Sequence, residues 1–304
     1  MKQSVEELKS ILGAAPEFSL DETEPALPLI EVATELSSAT ISPFGAQVCK
    51  WAPKDHPPVL YLSPKAIMDG SKAIRGGIPI CWPWFGNHPE DDSLPSHGFA
   101  RITFWKLDSA ESNGRSAKLV FSLTSDDETR KFFPNDFELT ATIHIADKLR
   151  VVLKMKNTGE EPYKVSSALH TYLSVGDIAR INIEGLKGSH YIDQLQPADA
   201  EEVYQEGALI IDEEVDRIYK SMSSVLIRDV ERHRSVFVDK GGSRSTVVWN
   251  PWVAKSKELR DLPDRDFNEF LCIEAANAGS DKPCLLYTSP SPRDLSTSRM
   301  PSSA

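Results

Sequence analysis

The sequence predicts an all-β protein, a large antiparallel β-sandwich with few short helices. Three observations carry that prediction. Segments of strand length recur from residue 29 to residue 276, and most alternate apolar and polar side chains or run apolar throughout. Turn-forming Gly, Pro, Asn, Asp and Ser separate them. Helical spacing, in contrast, is clear near the start and then almost vanishes.

Taken in order, residues 4–12 place Val5, Leu8, Ile11 and Leu12 on one helical face, and Gly13 and Pro16 end the run. Strands are expected at 29–32, 38–41, 48–51, 104–107, 117–123, 137–145 and 149–157. Ala146, Asp147 and Lys148 between the last two suit a hairpin turn, which would fix their register. The series continues at 167–173, 225–230, 235–238, 245–250 and 270–276, with one short helix over 126–132. The mixed-charge run 255–261 suits a solvated helix or loop. No internal repeat is visible. The expected organisation is a helix and lead-in over 1–28, one sandwich domain over 29–283, and a non-native or disordered tail over 284–304. That tail loses all periodicity, is rich in Ser, Pro and Arg, and resembles translated cloning-adaptor sequence.

The bulk numbers exclude several functions. With 304 residues, 40% of them hydrophobic, the chain has ample material for a core. A net charge of −11 repels polyanions and so opposes general binding to nucleic acid or an anionic membrane. No apolar run approaches the roughly 20 residues a spanning helix needs, and the first residues lack the apolar core of a signal peptide. A cytoplasmic protein is expected. Cys49, Cys81, Cys272 and Cys284 stand far apart with no Cys-x-x-Cys pair, so reduced structural cysteines are expected rather than a zinc site or a disulfide framework.

The stretch from Arg75 to Arg101 concentrates chemistry. It holds two arginines, His97, Trp82 and Trp84, spaced by glycines and prolines that prevent a plain helix or strand. Arginine presents a planar fork of donors to a phosphate or carboxylate, and a flat aromatic can lie on the apolar face of a sugar ring. A sheet corner packed by tryptophans has the same composition, and both readings stay open here. Further along, His170 lies in an otherwise apolar and hydroxylated strand, as a buried neutral imidazole on a backbone carbonyl or as a functional group. Glu274 lies in the most apolar late strand, where an unpaired carboxylate is costly and desolvation raises its pKa.

Five ordered motifs carry a resemblance: the run from Arg75 through Gly86, His97 to Arg101, Ala168 to Tyr172, Trp249 to Trp252, and Cys272 to Ala275. Together they resemble the glucose-6-phosphate 1-epimerases, the hexose-6-phosphate mutarotases within the aldose 1-epimerase family. The resemblance covers roughly residues 29–278. It implies a galactose mutarotase-like supersandwich with a shallow sugar cleft on one sheet. The implied activity is interconversion of the α and β anomers of hexose 6-phosphates, with no metal or organic cofactor. A monomer with a small-molecule sugar phosphate as its partner is implied. The chain departs from the family at its end, where a closing strand gives way to the tail, a difference that bears on stability more than on chemistry.

By that resemblance Glu274 takes the proton of the C1 hydroxyl and His170, as imidazolium, donates to the ring oxygen, the roles reversing on closure. Burial would lift the pKa of Glu274, and a nearby carboxylate would lift that of His170. Arg75 and Arg101 are the candidates for the 6-phosphate. Asp193 matches an acidic position near the sugar hydroxyls, although an Asp there also suits a turn. His97 and Gln47 are open between contact with the phosphate or sugar edge and a structural role. Trp249 and Trp252 are open between a sugar platform and core packing, as are Trp82 and Trp84. Two rival functions share these residues: a mutarotase for neutral aldoses, which would not need both arginines, and a non-catalytic carbohydrate-binding protein on the same fold.

Overall fold

Alternation turns into geometry most plainly in the sheet formed by Lys106–Ser112, Ala117–Thr124, Phe137–Ile145 and Leu149–Asn157, paired in that order and antiparallel throughout. Successive side chains of a strand point to opposite faces, so Leu119, Phe121, Leu139, Ala141, Ile143 and Met155 collect on one side and are buried. The expected hairpin closes with Ile145 opposite Leu149. The computed structural model describes residues 2–197, 199–279 and 284–286.

A second four-stranded sheet, Phe18–Asp21, Leu29–Ala33, Ser37–Ser42 and Gln47–Pro53, contributes Ile30, Val32, Ile41 and Val48 to the same buried cluster. The helix Val5–Leu12 starts at a capping box, in which Ser4 and Glu7 satisfy each other's backbone N–H groups. It buries Leu8 and Leu12 in that cluster, and the Gln3 amide bonds both the N–H and the C=O of Leu107. The lead-in is therefore part of the core.

The site is positioned by an eight-stranded sheet. Its order is Val203–Tyr204, His190–Asp193, Val215–Tyr219, Ser245–Asn250, Phe270–Asn277, Ser167–Leu169, Ile80–Cys81, with Tyr172–Ser174 also paired to Phe270–Asn277. One face puts Leu169, Leu173, Val248 and Ile273 into the main core. The other carries two smaller clusters, around Cys81, Ala168, Val247 and Ala276, and around Tyr61, Tyr172, Phe270 and Cys272. Because both faces are covered, Phe270–Asn277 is buried along almost its whole length, which is why it reads as an apolar run.

Several expectations need correction. The strand at 167–173 is interrupted at His170 and Thr171, and the one at 104–107 begins at Lys106. The short helix is confined to Asp127–Arg130; the charged run 255–261 starts in the helix Trp252–Glu258 and leaves it as a loop, as expected. Strands at His190–Asp193 and Val215–Tyr219 escaped the sequence because they mix charged and apolar residues without a clean period. The boundary placed at 284 is also too early: Cys284–Leu286 pairs with Tyr163–Val165, Leu286 is buried in the core, and its carbonyl accepts from Asn157. The rest of the expected tail lies outside the described residues.

Candidate active site

Strand register brings the two catalytic candidates together. Leu169 pairs with Ala275 and Tyr172 with Cys272, so the interruption between them sets His170 opposite Glu274. Nδ1 of His170 lies 3.2 Å from Oε1 of Glu274, and both side chains are almost wholly buried. Neither Nδ1 of His170 nor Oε2 of Glu274 has an aligned hydrogen-bond partner among the described residues. The ring of Tyr172 stacks on His170 at 4.8 Å and 7°, and Trp249 meets it edge-on at 5.8 Å. The imidazole is thus held between aromatic faces and a carboxyl group, with its own backbone carbonyl as a minor partner.

Arg75 reaches this face from a loop that only glycine permits. Gly77 has φ +64°, and a Cβ there would stand 2.1 Å from the Val48 carbonyl oxygen. Tyr172 N–H then bonds Gly77 C=O at 2.9 Å. The guanidinium is bidentate to Asp261 through Nε (3.2 Å) and Nη2 (3.1 Å), and Nη1 donates to the Tyr172 hydroxyl at 3.2 Å. Of five N–H groups, one on each terminal nitrogen stays free, and these form the end-on fork suited to an anion.

Arg101 and His97 arrive from the other end of the same segment. The Nη2 of Arg101 donates to Ser96 C=O at 2.7 Å, whereas its Nε is buried without a partner. No carboxylate lies within ion-pair distance of Arg101 among the described residues. His97 adopts φ +62°, uncommon for a residue with a side chain, and its Nδ1 accepts from Gly86 N–H at 3.3 Å. That contact leaves the ring proton on Nε2, as a donor. His97 stands 5.7 Å from the His170 ring.

Two expected binding residues are displaced. Gln47 has no exposed surface: its amide donates to Ile74 C=O (3.3 Å) and Gly76 C=O (2.7 Å), so it supports the Arg75 loop from below. Asp193 pairs with Arg217, which falls on the sheet face opposite Glu274, and it accepts from Leu195 N–H in a turn. The acid on the reacting face is its near neighbour Asp216, which lies opposite Trp249 in a row shared with Cys272 and Tyr172. Gln194 steadies Asp216 at 3.1 Å. Sequence reasoning missed Asp216, Asp261 and the role of Tyr172, since only the pairing of distant strands reveals them. Trp249 is placed beside His170, but Trp82 packs wholly in the core against Phe99, Phe133 and Phe137. Trp84 is likewise buried, and Trp252 packs on Phe267. Cys49, Cys81 and Cys272 are free and buried, as expected of structural cysteines.

The electrostatics partly reverse the expectation. Burial pushes the Glu274 carboxyl well above the usual range, with Asp216 adding to it and Arg101 opposing. His170 moves the other way: burial, then His97, Arg101 and Arg75, hold it well below an ordinary imidazole. The carboxylate that was expected to raise it is outweighed. Burial and the two arginines push His97 down to about 3. Burial also raises Asp216. With Glu274 raised and His170 lowered, a proton on this pair favours Glu274.

An imidazole and a carboxyl side by side, beneath aromatic rings and two guanidinium groups on one face of a sandwich, define an acid–base isomerase of sugar rings. The aldose 1-epimerase family profile matches residues 28–287. An Escherichia coli K12 protein described as a candidate glucose-6-phosphate 1-epimerase is 36% identical over 253 residues, covering 83% of this chain and 84% of its own. A Cenchrus ciliaris protein of the same description is 35% identical over 248 residues, covering 78% and 74%. The crystal structure of a candidate mutarotase from Salmonella typhimurium superposes with a TM-score of 0.84 at 32% identity, over 94% of this chain and 93% of that one. The chain belongs to the aldose 1-epimerase family, and its activity is the interconversion of sugar anomers. Among the described residues no helix is long and apolar enough to cross a membrane.

Proposed function

We propose that the sugar is a hexose 6-phosphate, with glucose 6-phosphate the best-supported substrate, and that His170 and Glu274 exchange its anomers. The observation that carries this reading is the pair of buried, unpartnered atoms beside the His170 imidazole: Nε of Arg101 and Oε2 of Glu274. Buried polar groups normally find partners, so the two orphans together favour a ligand that supplies them. The free fork of Arg75 and the unbalanced charge of Arg101 call for a dianion at the end of the sugar away from the pair. The names of the Escherichia coli and Cenchrus ciliaris relatives support the same substrate.

In the reaction, a Glu274 carboxylate oxygen accepts the proton of the C1 hydroxyl while protonated His170 gives a proton to the ring oxygen. The bond from C1 to the ring oxygen breaks, leaving an aldehyde and a free hydroxyl. After rotation about the bond between C1 and C2, the hydroxyl attacks the other face and both protons return. Each group contributes about 10²–10⁴-fold. Asp216, Trp249 and the Nε2 of His97 would bind the ring and its hydroxyls.

The rival substrate is a neutral aldose. Exchange spectroscopy by NMR, with equal concentrations of glucose and glucose 6-phosphate, separates the two. Faster enzyme-dependent exchange of the phosphorylated sugar supports the proposal, and equal or faster exchange of glucose rejects it.

A further inference from the structure

The catalytic imidazole stands in a field that opposes its charging. Burial opposes it first, then His97 and Arg101 from the 97–101 segment and Arg75 from the glycine loop, while Glu274 faces the ring from the neighbouring strand at 3.2 Å. Tyr172, on its own strand, stacks on the ring and takes a hydrogen bond from Arg75, so a guanidinium is held close by. Asp216, from Val215–Tyr219, acts on Glu274 rather than on His170. Asp261 balances the charge of Arg75, but that of Arg101 has no counterpart among the described residues. The described residues therefore supply little negative charge beside the group that must become a cation.

We propose that an anion seated on Arg75 and Arg101 is part of the acid–base machinery, and that a dianion supplied separately activates the enzyme toward an unphosphorylated sugar. The inference rests on the reading above that these arginines hold the 6-phosphate. The step it adds is one internal proton transfer. With the guanidinium charges neutralised, a small rotation that aligns the two groups, 3.2 Å apart, lets the proton on Glu274 pass to Nδ1 of His170. The neutral pair becomes an imidazolium and a carboxylate with no change in net charge. Only that form offers both an acid at Nε2 and a base at Glu274. The phosphate of a bound hexose 6-phosphate thus does more than anchor: it switches on the pair that opens the ring at the other end. Free glucose fills the ring site but leaves the switch unset.

Sulfate is the probe of choice, because near neutral pH it is a dianion too weakly basic to catalyse mutarotation by itself. The exchange rate of α- and β-glucose is measured by NMR with the protein and increasing sodium sulfate, against sodium chloride at matched ionic strength and protein-free blanks. A saturable rise of at least tenfold is expected, with the alkaline limb of the pH profile moving upward, since nearby negative charge makes the shared proton harder to lose. In protein carrying 15N-labelled histidine, the His170 ring should pass from the neutral to the imidazolium pattern as sulfate is added. Arg101→Met and, as a second variant, Arg75→Met should lose both responses. If glucose 6-phosphate is turned over while sulfate leaves glucose exchange and the His170 signals unchanged, or inhibits exchange, the inference is overturned and the substrate reading survives. If glucose 6-phosphate is not turned over, the substrate reading falls first.

Discussion

His170 faces Glu274 across two antiparallel chain segments, with Nδ1 and Oε1 3.2 Å apart, because a register fixed at Leu169 and Tyr172 sets the two opposite each other. The same register makes burial of the pair chemically productive. Beside the rings of Tyr172 and Trp249, burial weakens the imidazole as a base and the carboxyl as an acid. The pair is coupled, so its titration belongs to both residues together.

Asp216 tunes that proton from the neighbouring row. Asp216→Asn removes a negative charge that raises Glu274, so the limb of the kcat pH profile set by the Glu274 carboxyl moves to lower pH. A profile measured by exchange NMR that keeps its position would deny Asp216 this influence.

Arg101 is expected to matter for the phosphorylated sugar and not for the neutral one. A hydrogen bond to a charged group contributes about 1.5–3 kcal/mol, so Arg101→Ala should raise KM for glucose 6-phosphate by roughly 10- to 150-fold. Exchange of free glucose should not fall. Equal losses on the two sugars would reject the phosphate role.

Gly77 is the backbone feature on which Arg75 depends. At φ +64°, with the Val48 carbonyl 2.1 Å from a would-be Cβ, Gly77→Ala should cost about 2–4 kcal/mol of stability. Gly13→Ala is the control, since it has φ +67° but nothing within 4 Å. Thermal melting should show a clearly larger drop in Tm for Gly77→Ala; equal drops would mean the close approach is not what constrains the loop.

Lys240 gives stability a pH signature. Its ammonium is buried on the carbonyls of Ser221 and Ser245, and burial lowers its pKa to about 8. Between pH 8 and the unfolded value of 10.5, the unfolded chain binds more protons, so this residue makes stability rise with pH across that window. The contribution should be about 1–3 kcal/mol in urea unfolding, and Lys240→Met should flatten that rise. A variant with an unchanged slope would refute it.

Much of the architecture was legible because the strands of residues 117–157 each bury one face, and a period of two survives in the text. The site was legible where a residue type was out of place: an arginine pair among glycines, or a glutamate in an apolar strand. Asp193 and Asp216 show the limit. Both are acids near the cleft, and only the parity of the register tells which faces Glu274. Gln47 shows another, for a polar residue in a strand reads alike whether it bonds a ligand or, as here, the carbonyls of a loop. Asp261 stood in an ordinary charged run, and nothing local marked it as the partner of Arg75.

The most direct test replaces the carboxyl without altering its shape. Two-dimensional exchange NMR on equilibrated glucose 6-phosphate, comparing the parent with Glu274→Gln at equal folded concentration, should show enzyme-dependent anomer exchange falling by about 10²–10⁴-fold. Exchange in Glu274→Gln as fast as in the parent would contradict the assignment of the His170 and Glu274 pair as the acid–base machinery.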